Sequence, residues 1–291
     1  MLKVKYKSAP MDSISLYDQV SFKVSKLVTR SYSTSFSIAV SFLDDDIQQA
    51  IYSIYGFVRC ADEIVDSFLE HNKEALLDKF EEDYYEAQKS GVSLNMVLHA
   101  FQLTVKKYRI PEELINAFLS SMRADLFKTK YRTKDELANY IYGSADVVGL
   151  MCLVVFTNGD LALFESLKQP AMRLGSAFQK VNFLRDLKSD TECLDRQYFP
   201  EMVNGVFDDK IKDTIIEDIE SDFLSARKGI VALPDNSRVA VLIAFYYYRQ
   251  LVRKIKKTPA HQLLATRIRI SGALKMALIV NALFLDKLRI K

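Results

Sequence analysis

The chain has 291 residues, 49% hydrophobic and 26% charged, with a formal net charge of +3. That balance supplies a packed core, excludes wholesale disorder and is too near neutrality to make nucleic acid the default partner. Nine glycines and six prolines are few for this length, which disfavours a loop-rich sandwich or a glycine-rich dinucleotide fold and leans towards an all-α chain.

In chain order, residues 1–12 are polar and basic with no apolar run behind them, so they are expected to be flexible and to carry no leader. Beyond them, apolar residues mostly recur at i, i+3, i+4 and i+7, the amphipathic-helix pattern. A first helix is predicted over 13–30, then a polar break at 31–35. Asp44, Asp45 and Asp46 read as an acidic cap for a helix through Ile51, Ile54, Tyr55, Val58 and Ile64. Helices at 73–90, 94–108 and 112–128 follow, with Pro111 at a first-turn position. Residues 134–157 read as a helical run interrupted by Gly143 and Gly149, and 161–191 as a helix broken or kinked at Pro170. After a loop at 196–200, helices fit at 211–232, 237–257 and 260–288. No stretch alternates convincingly with period two, and the apolar stretches 147–157 and 276–285 are too short to span a bilayer. The expected fold is one all-α domain over 1–291. Cys60, Cys152 and Cys193 are widely spaced and odd in number, giving neither a disulfide framework nor a zinc knuckle, as in a reducing cytoplasm.

Two acidic constellations carry the chemistry. In Arg59-Cys60-Ala61-Asp62-Glu63-Ile64-Val65-Asp66, the spacing puts Arg59, Asp62 and Asp66 on one helical face. In the second, Asn182, Asp186 and Asp190 stand at i, i+4 and i+8, with Gln179 a turn earlier and Arg185 beside them. Oxygen-only ligands without a nearby histidine suit a hard cation, magnesium first, which takes one or two carboxylates, waters and phosphate oxygens. Arg59 and Arg185 are suited to forked contacts with the remaining phosphate oxygens. Acidic pairs at this spacing are common on solvated faces, but here the neighbouring residues are apolar and each pair has its arginine. His71, His99 and His261 form no di-iron pattern.

These segments resemble the head-to-head trans-isoprenyl diphosphate synthases of the squalene/phytoene synthase type. The resemblance runs through YSTSF (32–36), AIYSIYGFVRCADEIVD (50–66), YIYGSADVVGLMC (140–152), LGSAFQKVNFLRDLKSD (174–190) and RQYFP (196–200). It implies a single helical bundle of isoprenoid-synthase type around a deep central cavity, with the two aspartate motifs facing each other at its mouth. Asp62, Asp66, Asn182, Asp186 and Asp190 are then the metal ligands, with Mg2+ expected and Mn2+ as a substitute. Arg59, Gln179 and Arg185 match diphosphate contacts, and Tyr32, Ser33, Thr34, Ser35 and Tyr198 fall among the substrate contacts. Members often carry histidine where this chain has Tyr32. Tyr55, Tyr140 and Tyr247 match positions lining the reaction centre, although Tyr246 and Tyr248 flank the last. Arg267 is a further candidate for the diphosphate. The implied reaction joins two geranylgeranyl diphosphates through a cyclopropyl diphosphate to phytoene and pyrophosphate, without NADPH. Squalene or dehydrosqualene synthesis from two farnesyl diphosphates is the alternative, and a non-catalytic lipid-binding or assembly relative is disfavoured by the intact aspartates. The basic C-terminal part, from Arg249 onwards with Asp286 its single acid, suits docking on anionic lipid, so the expected location is cytoplasmic with peripheral contact to the inner membrane. No nucleic-acid module is recognisable.

Overall fold

The computed structural model describes residues 13–203 and 205–287, without the Cys193 side chain. The expected flexibility of residues 1–12 lies outside this range. No strand occurs among the described residues, only an isolated bridge between Lys130 and Gln197. The helices are α1 (Ser13–Tyr32), α2 (Thr34–Val40), α3 (Asp45–Ser67), α4 (Lys73–Ser90), α5 (Met96–Tyr108), α6 (Glu112–Ala124), α7 (Lys134–Ile141) and α8 (Val147–Thr157). They continue with α9 (Leu161–Leu194), α10 (Pro200–Val203), α11 (Asp209–Ile230), α12 (Asp235–Lys257), α13 (Ala260–Leu263) and α14 (Gly272–Lys287).

Helix α3 shows why these residues fold as they do. Ile47, Ala50, Ile51, Ile54, Phe57, Ala61, Ile64 and Val65 recur with helical spacing and are buried, so one broad face enters the core. Phe57 anchors it, stacked on Phe101 of α5 at 4.0 Å and on Phe80 of α4 at 5.4 Å. Asp44 is the N-cap residue but its side chain makes no capping bond. Asp45 and Asp46 lie in the first turn, where the helix dipole favours them, and Asp46 also meets Lys107 at 3.0 Å. Packing of α3 against α1, α5 and α8, and of α9 against α8 and α11, holds the two acid-bearing helices in one core.

Four expectations change. The polar break at 31–35 shrinks to Ser33, because α1 runs on to Tyr32 and α2 begins at Thr34. Pro170 does not end α9, which is 34 residues long in all and runs through it to Leu194. An internal proline costs about 3 kcal/mol, offset here by tertiary packing: α11 presents Gly229, where a Cβ would stand 2.3 Å from the proline ring. The single helix expected over 260–288 is instead α13, a non-helical stretch from Leu264 to Ser271, and α14. In Arg267-Ile268-Arg269-Ile270 both isoleucines are buried and both arginines exposed. That short alternation is a period-two signal, readable in the sequence, which the helical pattern masked. Finally, Lys134–Thr157 is long enough to span a bilayer, with mean hydropathy 1.6, but 61% of that window is buried inside the fold. It is the core run α7–α8.

That run bends through a π turn, Tyr142–Asp146. At Gly143 a Cβ would lie 1.9 Å from Ser121 Oγ and 2.7 Å from the Ala117 carbonyl oxygen, so α6 approaches too closely for any side chain. Gly143→Ala is expected to cost about 1–3 kcal/mol through overpacking, read as a lower melting temperature. Ser121→Ala should restore only part of it, since the backbone oxygen remains.

Candidate active site

Helices α3 and α9 supply the two acidic stripes. Arg59 Nη1 lies 2.6 Å from Asp62 Oδ2, and the other end of the fork binds Glu63. Tyr32 closes this corner, its ring 4.3 Å from the guanidinium and its hydroxyl bonded to Glu63. On α9, Gln179 Nε2 donates to Ser144 Oγ of the π turn at 3.4 Å, and Asn182 Oδ1 accepts from the Tyr248 hydroxyl at 3.1 Å. Asp186 is gripped by Arg185 Nε at 3.1 Å and by Arg267 Nε at 2.6 Å. Asp190 has no ion-pair partner among the described residues.

The stripes converge at Arg196, whose guanidinium meets Asp66 of α3 at 2.6 Å and whose backbone N–H donates to the Asp190 carbonyl oxygen of α9 at 2.8 Å. Burial raises the Asp190 carboxyl to about 7, and repulsion from Asp186 and from Asp66 on the opposite helix adds to it. Burial likewise raises Asp62 to about 7, followed by repulsion from Asp66. Asp62 nevertheless keeps 36% of its side-chain surface accessible. Tyr55, pushed up to about 12 by burial, and Tyr248, raised by burial, are also only partly covered. Tyr248 of α12 lies near enough to Tyr55 of α3 to add to its rise.

A third element, which spacing did not reveal, ties the stripes to the core. Arg196 is 5% exposed, lies 2.6 Å from Asp66 and donates to the Asp125 carbonyl oxygen at 3.3 Å. The buried Asp125 carboxylate accepts from Tyr140 at 2.7 Å and from Tyr131 at 3.4 Å, and burial raises it to about 6. Asp125 stands alone at the end of α6, and no i, i+4 partner advertises it. Arg196 sat in a quoted motif without a role.

The remaining candidates fall into three groups. Ser33 bonds Tyr55, whereas Thr34 is exposed and Ser35 half-buried on the first turn of α2. Tyr140 and Tyr198 are buried in an aromatic stack with Phe183, the Tyr198 and Phe183 rings 3.7 Å apart, so Tyr198 presents its hydroxyl to Arg196. On α12 it is Tyr248 that reaches Asn182 and stacks on Phe178 at 3.9 Å, while the Tyr247 ring meets Lys275 at 5.6 Å. Tyr247 also lies near Arg185 of α9, so both tyrosines stand beside the second acidic stripe. Burial raises the Cys60 and Cys152 thiols, the latter to about 12, so neither is an activated thiolate. His99 is buried against Asp18 at 2.7 Å as a packing residue.

Beneath the stripes, Asp146 of the π turn accepts from Ser176 at 2.8 Å, beside Lys180 and Asp222, which are 2.7 Å apart. Burial raises Asp146 to about 7. A carboxyl whose folded value lies above its unfolded one adds stability below the ordinary carboxylate range, lost as pH rises through about 7. Asp146→Asn is expected to raise the melting temperature at pH 8 and leave it nearly unchanged at pH 4. Equal shifts at both would remove the carboxyl from this ledger.

The donor set fits a hard divalent cation: all oxygen, with half-buried carboxylates whose repulsion positive charge would relieve. No group of three or more His, Cys, Asp or Glu is placed to hold a metal by itself among the described residues, so the fit requires oxygens from a ligand such as a diphosphate. A separate cleft of about 230 Å3 between α11, α12 and α14 contains none of these residues, and its acids Asp235 and Asp286 pair with Arg238.

A helical enclosure with facing carboxylate stripes and interleaved arginines defines an isoprenoid-synthase fold. Residues 29–273 match the squalene/phytoene synthase family profile, and the chain belongs to that family, one of prenyltransferases. Phytoene synthase 2 of Oryza sativa subsp. japonica is 30% identical over 250 residues, covering 79% of this chain and 62% of that protein. The chain thus spans about three fifths of the length of such plant relatives. Phytoene synthase of Arthrospira platensis is 27% identical, covering 81% and 84%. In structure, a ligand-bound dehydrosqualene synthase superposes with a TM-score of 0.79 at 22% identity, covering 94% of this chain and 98% of that one. Squalene synthase HpnC of Alicyclobacillus acidocaldarius gives 0.72 at 21%, covering 89% and 99%.

Proposed function

We propose that the chain condenses two geranylgeranyl diphosphates head to head into phytoene, releasing two pyrophosphates, as a step in carotenoid synthesis. The observation that carries this reading is the approach of Asp66 on α3 to Asp190 on α9, linked through Arg196, which bonds the Asp66 carboxylate at 2.6 Å and the Asp190 carbonyl oxygen at 2.8 Å. The relatives named phytoene synthase support the C20 substrate. Carbon and charge balance without a reductant: each substrate loses pyrophosphate, one proton leaves as the cyclopropyl diphosphate forms, and a second leaves as the final cation becomes phytoene.

Asp62, Asp66, Asn182, Asp186 and Asp190 would hold magnesium. When bound, the metal neutralises the diphosphate and makes it a better leaving group. Arg59, Gln179 and Arg185 bind the remaining diphosphate oxygens. Arg196 holds Asp66, and Asp125 holds Tyr140, so both sides of the site are fixed before substrate enters. Closure around the prenyl chains would keep water from allylic cations, and tyrosine faces such as Tyr55 stabilise positive charge by roughly 0.5–2 kcal/mol each.

The test is incubation of the purified chain with Mg2+ and either geranylgeranyl or farnesyl diphosphate, with and without NADPH, followed by mass analysis. A C40 hydrocarbon with a central conjugated triene, made from the C20 substrate without NADPH, is expected. A C30 product from farnesyl diphosphate alone would replace this substrate assignment with dehydrosqualene or squalene synthesis.

A further inference from the structure

Away from the acidic stripes, α14 is apolar on two faces. Its inner face packs Ile279 and Ala282 against Ala39 and Ile243. Its outer face carries Ala273, Met276, Ala277, Val280 and Phe284 at helical spacing, all exposed, with Val280 at 63% and Phe284 at 60%. Nothing within the described fold covers this stripe, and a stripe of that kind on an otherwise charged exterior marks an interaction surface.

Beside it, Leu278 and Asn281 of α14 join Tyr246, Arg249 and Arg253 of α12 around a cleft of about 120 Å3. Arg249 and Arg253 are one turn apart. Arg249 lies 5.8 Å from the Phe245 ring, and neither arginine has a carboxylate partner among the described residues. Asp286 does not offset them, because Arg238 holds it at 2.7 Å. Lys254, Lys257 and Arg269 are further exposed basic residues of this region, whereas Lys256 pairs with Glu220 at 3.4 Å.

We propose that this is a membrane-docking surface: the Met276–Val280–Phe284 stripe enters the interface of an anionic bilayer while Arg249 and Arg253 receive a lipid phosphate in the cleft. Charge selects this occupant. Two forked guanidinium groups without acids suit a phosphate, the cleft admits a headgroup and not a folded domain, and a second copy of the chain would bring its own basic surface against this one. An amphipathic helix with cationic flanks binds lipid interfaces by both contributions together. The inference rests on this surface and is independent of which diphosphate the enzyme consumes.

The test uses the full chain in vesicle flotation with phosphatidylglycerol–phosphatidylcholine or pure phosphatidylcholine vesicles. The wild type should float only with the anionic vesicles and less as salt rises. Each basic residue at an anionic surface contributes about fivefold, so Arg249→Ala with Arg253→Ala should weaken binding about thirtyfold. Val280→Asp with Phe284→Asp should abolish it at any salt, with unchanged circular dichroism because Ile279 and Ala282 stay in place. Equal flotation with neutral vesicles, binding unaffected by both double variants, or wild-type self-association through this face without flotation would each overturn the proposal. So would flotation lost by competition with free phosphate at low millimolar concentration.

Discussion

Replacing Asp62 or Asp186 with alanine is expected to lower condensation activity by about 10³-fold or more while leaving the helical fold intact. Stabilising the leaving group is a contribution of several kcal/mol, and each 1.36 kcal/mol is tenfold in rate. The two variants should differ in stability. Asp62 is raised to about 7 by burial, then by Asp66, so above that pH the folded chain holds a charge it disfavours. Its removal, as Asp62→Asn or Asp62→Ala, is expected to raise the melting temperature at pH 8 in the absence of metal. Asp186 is paired with Arg185 and Arg267, and its loss leaves two guanidinium groups without a partner. Near-normal turnover in either variant, with product measured by mass analysis, would remove the stripe from the chemistry.

Lys180→Met is expected to produce the largest loss of stability, about 3–5 kcal/mol, by leaving a buried carboxylate uncompensated. Lys180 is 11% exposed and binds Asp222, 5% exposed, at 2.7 Å, and it also bonds Asp218. Once the ammonium is gone, Asp222 keeps only Arg173, itself 55% exposed. Lys180→Met with Asp222→Leu should recover much of the loss, since a hydrophobic pair of similar volume avoids the desolvation of both charges. Urea unfolding of the single and double variants measures both. An unchanged midpoint in the single variant would contradict the pairing.

The acidic stripes were legible because helical spacing projects them directly: Asp62 and Asp66, or Asn182, Asp186 and Asp190, declare their shared face from sequence separation alone. The helical class was equally plain in the apolar periodicity of α3. What stayed hidden depends on contacts between distant segments. Asp125 and Arg196 are 71 residues apart, and neither has a local pattern. Pro170 looked like a break because the cost of a helical proline is local, whereas the packing at Gly229 that offsets it is not. The apolar residues of 264–271 continue the surrounding helical pattern, but the chain leaves the helix there, with Arg267 at Asp186 and Ile268 and Ile270 buried. Among three consecutive tyrosines on α12, only the fold distinguishes Tyr248, against Asn182, from Tyr247, against Lys275.

The account centres on acidic stripes from α3 and α9 that jointly grip a cation-bridged diphosphate. Calorimetric titration with a non-ionisable geranylgeranyl thiodiphosphate, with and without Mg2+, tests it most directly. Tight binding that requires the metal and disappears in both Asp62→Ala and Asp186→Ala is expected, because each helix supplies half of the grip. Equal affinity without Mg2+, or loss in one variant and full retention in the other, would contradict it.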